Sequence, residues 1–146
     1  MKPYILLVED NGDDVELTRR AFNKNRIVNE IVVLNDGAEA ASFLFEENRE
    51  GRGLPQFILL DLKLPKISGL ELLEMIRKDP DTRLIPTVIL TSSKQEEDRL
   101  AGYELGANSY VRKPVDFNEF VEAVRQVGLY WLVLNEPPPA REAEPA

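Results

Sequence analysis

Short apolar runs alternate along this chain with longer stretches of helical spacing. The runs are Tyr4 to Val8, Ile31 to Leu34, Phe57 to Leu60 and Val88 to Leu90, with a weaker one at Ser109 to Val111. Each has the length of a strand, and several are rich in β-branched residues. Between them apolar positions recur every three or four residues: Val15, Leu17, Ala21 and Phe22; Ala38, Ala41, Phe43, Leu44 and Phe45; Leu70, Leu72, Leu73 and Ile76; Leu100, Tyr103 and Leu105; and Phe117, Phe120, Val121 and Val124. Polar residues suited to helix starts stand in front of three of these stretches. Asp13 or Asp14 can cap the first helix, Ser68 the third and Asp116 the fifth, with Glu119 completing a capping box. Five strand and helix pairs follow. Strands that are apolar on both faces and joined by helices predict an α/β domain, with a parallel sheet, right-handed crossovers and helices on both sides.

In such a sheet the working crevice lies beyond the carboxyl ends of the strands. There the sequence places Glu9 and Asp10 after the first strand and Asp61 after the third. Thr91 and Ser92 end the fourth, and Lys113 and Pro114 follow the fifth. Three carboxylates at close range repel one another, and their pKa values rise unless a cation joins them. A hard divalent ion such as Mg²⁺ prefers carboxylate oxygens and retains waters, so it is the natural partner. An ammonium and a hydroxyl facing a metal-bound carboxylate suit an incoming phosphoryl group, whose oxygens need cations and donors. Asp61 is then a candidate nucleophile. It can form an acyl phosphate while the metal neutralises charge on the attacking and transferred oxygens.

Composition removes most competing chemistry. A length of 146 residues, 43% hydrophobic and 30% charged, suits one domain with a full core. With no cysteine there is no disulfide, cysteine-ligated zinc or thiol nucleophile. With no histidine there is no Ser-His pair, and any phosphohistidine must come from a partner. The 26 acidic residues outnumber the 18 basic ones, and the formal charge of −8 argues against direct binding to nucleic acid. The opening MKPYILLVED turns acidic too soon for a signal peptide or a membrane span, so a cytoplasmic protein without membrane contact is expected.

VED near the start, LLDLKLP in the middle, ILTSS in the fourth strand and YVRKP in the fifth stand in a specific order and at strand ends. Together they resemble the receiver domain of the bacterial two-component response regulators, over residues 4 to about 127. The resemblance implies a flavodoxin-like, three-layer (βα)5 domain whose five-stranded sheet has the order 2-1-3-4-5. It implies that Asp61 accepts a phosphoryl group from a sensor histidine kinase. Mg²⁺ would be held by Asp10, Asp61, the backbone carbonyl of Lys63 and, through water, Glu9. Lys113 would pair with one phosphate oxygen while Thr91 swings toward another, with Ser92 on the same phosphate-binding side. Tyr110 matches the aromatic switch that follows the threonine, and Lys113–Pro114 matches a cis peptide that aims the lysine inward. Such a protein signals by changing its protein contacts. It is not an enzyme beyond the chemistry of its own phosphorylation and dephosphorylation.

Departures from the family pattern also carry information. Glu9 stands where many members have aspartate, and its longer side chain alters how water joins the metal. Lys63 and Ser92 occupy positions where the family varies its dephosphorylation rate. Taken singly, each residue has an ordinary explanation: an aspartate at a strand end commonly serves a turn, and EDNGDD is rich in turn formers. Two other functional classes compete. A phosphatase of haloacid-dehalogenase type shares the Asp nucleophile, Mg²⁺, hydroxyl and lysine, but usually carries a second acid where this chain has Lys63. A flavodoxin-like nucleotide-binding module needs a Ser, Thr and Gly loop to cradle phosphate, whereas EDNGDD repels anions.

Residues 1–127 are assigned to the receiver and 128–146 to an extension of the fifth helix and a Pro-rich tail. GLYWLVLNEPPP resembles the C-terminal extension of small regulators paired with phytochrome-type histidine kinases, as do VEDNGDDVELTRRAF and LFEENREGRGLPQFILLDLKLP. Nothing beyond the fifth helix has the length or basic charge of a DNA-reading domain, so a stand-alone receiver is expected. A helix continued from Phe117 through Leu134 carries Val127, Tyr130, Trp131 and Leu134 past the edge of the sheet. Tyr130 and Trp131 are therefore candidate contacts of a homodimer that also uses the fourth helix and the fifth strand. The competing expectation is that YWLVL folds back onto its own domain.

Overall fold

The computed structural model describes residues 3–46, 53–92, 95–113, 116–136 and 139. The elements alternate as β1 (Tyr4–Val8), α1 (Gly12–Lys24), β2 (Glu30–Leu34), α2 (Gly37–Phe45), β3 (Phe57–Leu60) and α3 (Gly69–Lys78). They continue as β4 (Thr87–Thr91), α4 (Glu96–Glu104), β5 (Ser109–Arg112) and α5 (Phe117–Leu129), followed by a π-helical turn, Tyr130–Leu134. All strand pairs are parallel, and the order is β2-β1-β3-β4-β5. This is the flavodoxin-like receiver arrangement expected above.

Alternation along each central strand divides the core into two layers, because successive side chains leave opposite faces of a sheet. Tyr4, Leu6 and Val8 of β1 join Ile58, Leu60 and Ile89 on one face, against Phe43 and Leu44 of α2 and Leu72, Leu73 and Ile76 of α3. Ile5 and Leu7 join Phe57, Leu59, Val88 and Leu90 on the other, against Ala21 and Phe22 of α1 and Phe120 and Val124 of α5. β1, β3 and β4 are buried along their whole length, which explains why they read as unbroken apolar runs. β2 and β5 lie at the edges and are less covered. Each fully buried Leu, Ile or Phe contributes about 1.5–3 kcal/mol, so both layers are needed to hold the strand ends in register.

Ser68 and Asp116 cap α3 and α5 as expected: Ser68 Oγ accepts from Glu71 N–H, and Asp116 Oδ1 accepts from the N–H groups of Asn118 and Glu119. The first helix differs. Its cap is Asn11, whose Oδ1 accepts from Asp13 N–H at 2.9 Å and Asp14 N–H at 3.2 Å. Asp13 and Asp14 instead occupy the first turn, where a carboxylate meets the positive end of the helix dipole. Gly69 allows α3 to start directly behind the end of β3. A methyl group there would stand 2.1 Å from the carbonyl oxygen of Asp61, and its own N–H donates to Leu62 O at 2.9 Å.

Helical structure continues without a break past residue 127, and the widened turn carries it to Leu134. Trp131 and Leu132 pack partly onto the α1/α5 layer of the core. Leu129, Tyr130 and Leu134 remain 42%, 48% and 63% exposed. The extension therefore folds back in part and leaves an apolar strip outside. Among the described residues, no helix is long and apolar enough to cross a membrane.

Candidate functional site

β1 and β3 are neighbours at the centre of the sheet, so the residues that follow them emerge side by side. Val8 is paired with Leu60, and Asp61 N–H donates to Val8 O at 3.1 Å. Glu9 N–H donates to Leu34 O at 3.0 Å, which ties the start of the β1–α1 loop to the edge strand β2. On the other side, Thr91 closes β4, and Lys113 N–H donates to Thr91 O at 2.7 Å. Four strand ends thus deliver Glu9, Asp10, Asp61, Thr91 and Lys113 to one crevice.

Carboxylate oxygens of Glu9, Asp10 and Asp61 lie within 4.8 Å of one another. Glu9 is 2% exposed and Asp61 9%, while Asp10 faces solvent. The Lys113 ammonium reaches into the group from β5. It donates to Glu9 Oε1, to Asp14 Oδ2 at 2.8 Å and to Asp61 Oδ2 at 3.4 Å. Asp61 Oδ1 accepts from Leu62 N–H at 2.7 Å, so the two oxygens of Asp61 are distinguished by their surroundings. Thr91 is fully buried and hydrogen-bonds the Asp61 carboxylate.

The electrostatics follow from this packing. Burial pushes the Glu9 carboxyl up to about 8, the Asp61 carboxylate beside it adds to the rise, and Lys113 opposes it. Burial acts on Asp61 in the same direction, but it is outweighed by hydrogen bonds from Glu9, Thr91 and Leu62 N–H and by the Lys113 charge. Asp61 is held below the usual carboxylate value. Burial opposes the charge on Lys113, yet Asp14 and Glu9, with the charge of Asp61, push its ammonium up to about 12. Three clustered carboxylates share a single ammonium, which does not offset the burial of Glu9. The donor set consists of hard oxygens, so the pocket fits a divalent cation of the Mg²⁺ or Mn²⁺ kind.

The remaining candidates have distinct settings. Ser92 is exposed one residue past β4, and Lys63 carries an exposed side chain two residues past Asp61. Tyr110 lies in β5 with its hydroxyl buried, and its ring packs against the α2/α3 layer of the core. A methyl on Gly102 of α4 would stand 2.7 Å from Ile89 Cδ1 and 3.5 Å from the Tyr110 ring, so the glycine lets α4 lie close over β4 and in van der Waals reach of the tyrosine. The Lys113–Pro114 bond lies outside the described residues, as does the Pro-rich tail apart from Pro139. Asp14 was not among the candidates read from the sequence. Only the fold brings it to a lysine 99 residues away, and no spacing within EDNGDD signals that.

A doubly wound sheet with an acidic crevice, a buried lysine and a buried threonine at its carboxyl edge defines the signalling class of receivers. The chain belongs to that family: the response regulator receiver domain matches residues 5–125. Receiver domains bind a divalent metal at this acidic pocket and work with histidine kinases. The probable methanogenesis regulatory protein FilR2 of Methanothrix harundinacea is 40% identical over 92% of this chain and 86% of its own length. Response regulator Rcp1 of Synechocystis is 39% identical over 88% of each. The crystal structure of the phosphorylated cyanobacterial phytochrome response regulator RcpA superposes with a TM-score of 0.88 at 34% identity, covering 95% of this chain and all of that one. The Mn²⁺-bound form of Rcp1 gives 0.85 at 37% identity, covering 94% and 99%. The bacteriophytochrome response regulator RtBRR gives 0.73 at 50% identity, covering 95% and 86%. The family match favours neither the phosphatase nor the nucleotide-binding alternative.

Proposed function

We propose that Asp61 is the phosphoacceptor of this receiver and that Mg²⁺ is its working metal. The supporting observation is the geometry of the pocket: three carboxylates within 4.8 Å of one another and a lysine ammonium 3.4 Å from Asp61 Oδ2. Asp10, Asp61, the Lys63 carbonyl and, through water, Glu9 are assigned to the metal. When bound, the ion would offset the charge of the attacking and transferred oxygens. An oxygen of Asp61 then attacks the phosphorus of a phosphohistidine. The oxygen–phosphorus bond forms as the phosphorus–nitrogen bond breaks, and the electron pair leaves with the kinase imidazole. Lys113 and Thr91 receive the phosphoryl oxygens, with Ser92 on the same side, because both carry hydrogen-bond donors and Lys113 a positive charge. Tyr110 is assigned as the switch residue on account of its place between the Thr91 strand and α4.

Residues 1–127 are taken as the receiver and 128 onward as its extension. The cognate kinase is assigned to the phytochrome type, on the likeness to Rcp1, RcpA and RtBRR. Output is assigned to a cytoplasmic homodimer whose contact includes Tyr130 and Trp131. The exposed strip of Leu129, Tyr130 and Leu134 supports this reading. Intact mass after incubation with acetyl phosphate and Mg²⁺ tests the acceptor: one phosphoryl adduct is expected on the wild type and none on Asp61→Asn. Equal adduct on the variant rejects Asp61. Light scattering with and without phosphorylation tests the dimer, and a monomer in both conditions rejects it.

A further inference from the structure

Three carboxylates contact Lys113 among the described residues, and they are not equivalent. Glu9 and Asp61 belong to the cluster that suits a cation, whereas Asp14 stands outside it. Asp14 is held by means independent of the lysine. Its N–H donates to Asn11 Oδ1 at 3.2 Å, and its carbonyl accepts from the Thr18 hydroxyl at 2.7 Å, with Thr18 1% exposed. The side chain therefore projects from a clamped first turn of α1 toward β5.

The consequence appears when a divalent cation enters the cluster. The carboxylate of Asp61 would turn toward it, as would that of Glu9 through water, and Lys113 would lose part of its hold on both. A lysine has a flexible four-carbon stem and a point charge, so it needs an anchor to stay in one place. The Asp14 contact at 2.8 Å is already shorter than the Asp61 contact at 3.4 Å. We propose that Asp14 is a positioning residue, whose carboxylate holds the Lys113 ammonium beside Asp61 while the other two carboxylates face the metal. The ammonium then meets an incoming phosphoryl oxygen from a fixed position. The kinetic part of this inference rests on the assignment of Asp61 as phosphoacceptor; the tether itself does not.

The test separates the two. In Mg²⁺-saturated protein, exchange of the Lys113 ammonium protons with water is measured by nitrogen-15 NMR. Asp14→Asn should quicken it by about tenfold, the scale of one charge-assisted hydrogen bond, and Asp14→Glu should restore it in large part. Phosphorylation of Asp61 by acetyl phosphate at saturating Mg²⁺ should slow by a similar factor in Asp14→Asn. Mg²⁺ affinity should change little, since Asp14 lies outside the cluster. Unchanged ammonium exchange in Asp14→Asn overturns the tether. Quickened exchange with a wild-type rate of phosphorylation overturns the positioning role. If wild type takes no phosphate on Asp61 while Asp14→Asn still frees the ammonium, the tether stands and the failure belongs to the phosphoacceptor assignment.

Discussion

Among the described residues, two basic side chains are drawn inward from solvent, and they are held in opposite ways. Lys113 is gripped by the carboxylates of Glu9, Asp14 and Asp61. Arg77, on α3, is held by neutral acceptors: Gly106 O at 2.8 Å, Ile85 O at 2.9 Å, Arg83 O at 3.2 Å and Asn108 Oδ1 at 2.8 Å. The guanidinium fork fixes α3 to the segment before β4 and to the turn between α4 and β5. Gly106 has φ +99° in that turn, a conformation glycine adopts without strain. Backbone carbonyls cannot change charge, and no visiting ion competes for them, so Arg77 is a permanent staple. Carboxylates can be protonated or drawn to a metal, so the environment of Lys113 can change while the fold stays in place.

The largest expected effect comes from breaking the staple. Arg77→Met keeps the apolar stem and leaves the carbonyls and Asn108 without their donor. It should cost about 3 kcal/mol, a fall in Tm of roughly 10 °C for a chain of this size. Mg²⁺ should not restore the loss. Lys113→Met should cost about 2 kcal/mol in metal-free protein, because it leaves buried carboxyl oxygens without their donor while Glu9 can hold a proton. Millimolar Mg²⁺ should recover most of that difference. Thermal melts of both variants with and without Mg²⁺ check the comparison directly, and equal rescue of both would remove the distinction drawn here.

What was legible in the sequence follows the same division. The strands could be placed because β1, β3 and β4 are buried on both faces and so lack polar interruptions, and Glu9, Asp10, Asp61, Thr91 and Lys113 could be brought to one crevice because they stand at or just past strand ends. The cap of α1 was misplaced because EDNGDD offers several capping side chains; the choice of Asn11 leaves Asp14 free to turn toward Lys113. Arg77 carried no signal at all. Its partners are mostly main-chain carbonyls, which have no sequence identity, and they come from positions 83, 85, 106 and 108. The helical run to Leu134 was legible, but the half-burial of Trp131 against the α1/α5 layer depends on where the last turns land.

A pH titration sharpens the contrast further. Glu9 is raised from the usual 4.5 to about 8 in the folded protein. Between those values the folded state holds a proton that the unfolded chain has released, so stability falls as pH rises through this window. Asp61 does not oppose this there, because its folded value lies below the ordinary one and its contribution is lost only in acid. Metal-free wild type should therefore melt lower at pH 8 than at pH 6, and Glu9→Gln should flatten the slope. If a divalent cation and the Glu9 proton compete for the same cluster, the stabilising effect of Mg²⁺ should grow over the same interval. A metal-free melting temperature that rises from pH 6 to pH 8 would contradict the assignment.

The smallest expected effect tests whether charge alone separates the two sites. Asn108→Asp converts one neutral acceptor of Arg77 into a carboxylate at the same 2.8 Å contact, and Oδ1 of residue 108 also accepts from Thr87 N–H at 2.8 Å. Neither hydrogen bond requires the amide nitrogen, so the substitution keeps both. Residue 108 is exposed, and an exposed ion pair is screened and adds only about 0.2–1 kcal/mol. The rise in Tm should therefore be no more than a few degrees, and the rate of phosphorylation by acetyl phosphate should stay at the wild-type value, since Arg77 has no contact with the pocket in the hydrogen bonds described for it. A large gain in stability would mean that the staple is limited by missing charge, as the cation pocket is. A changed phosphorylation rate would mean that the two sites are coupled through β4 and β5. The absence of both effects would leave geometry as the basis of the staple and exchangeable charge as the basis of the pocket.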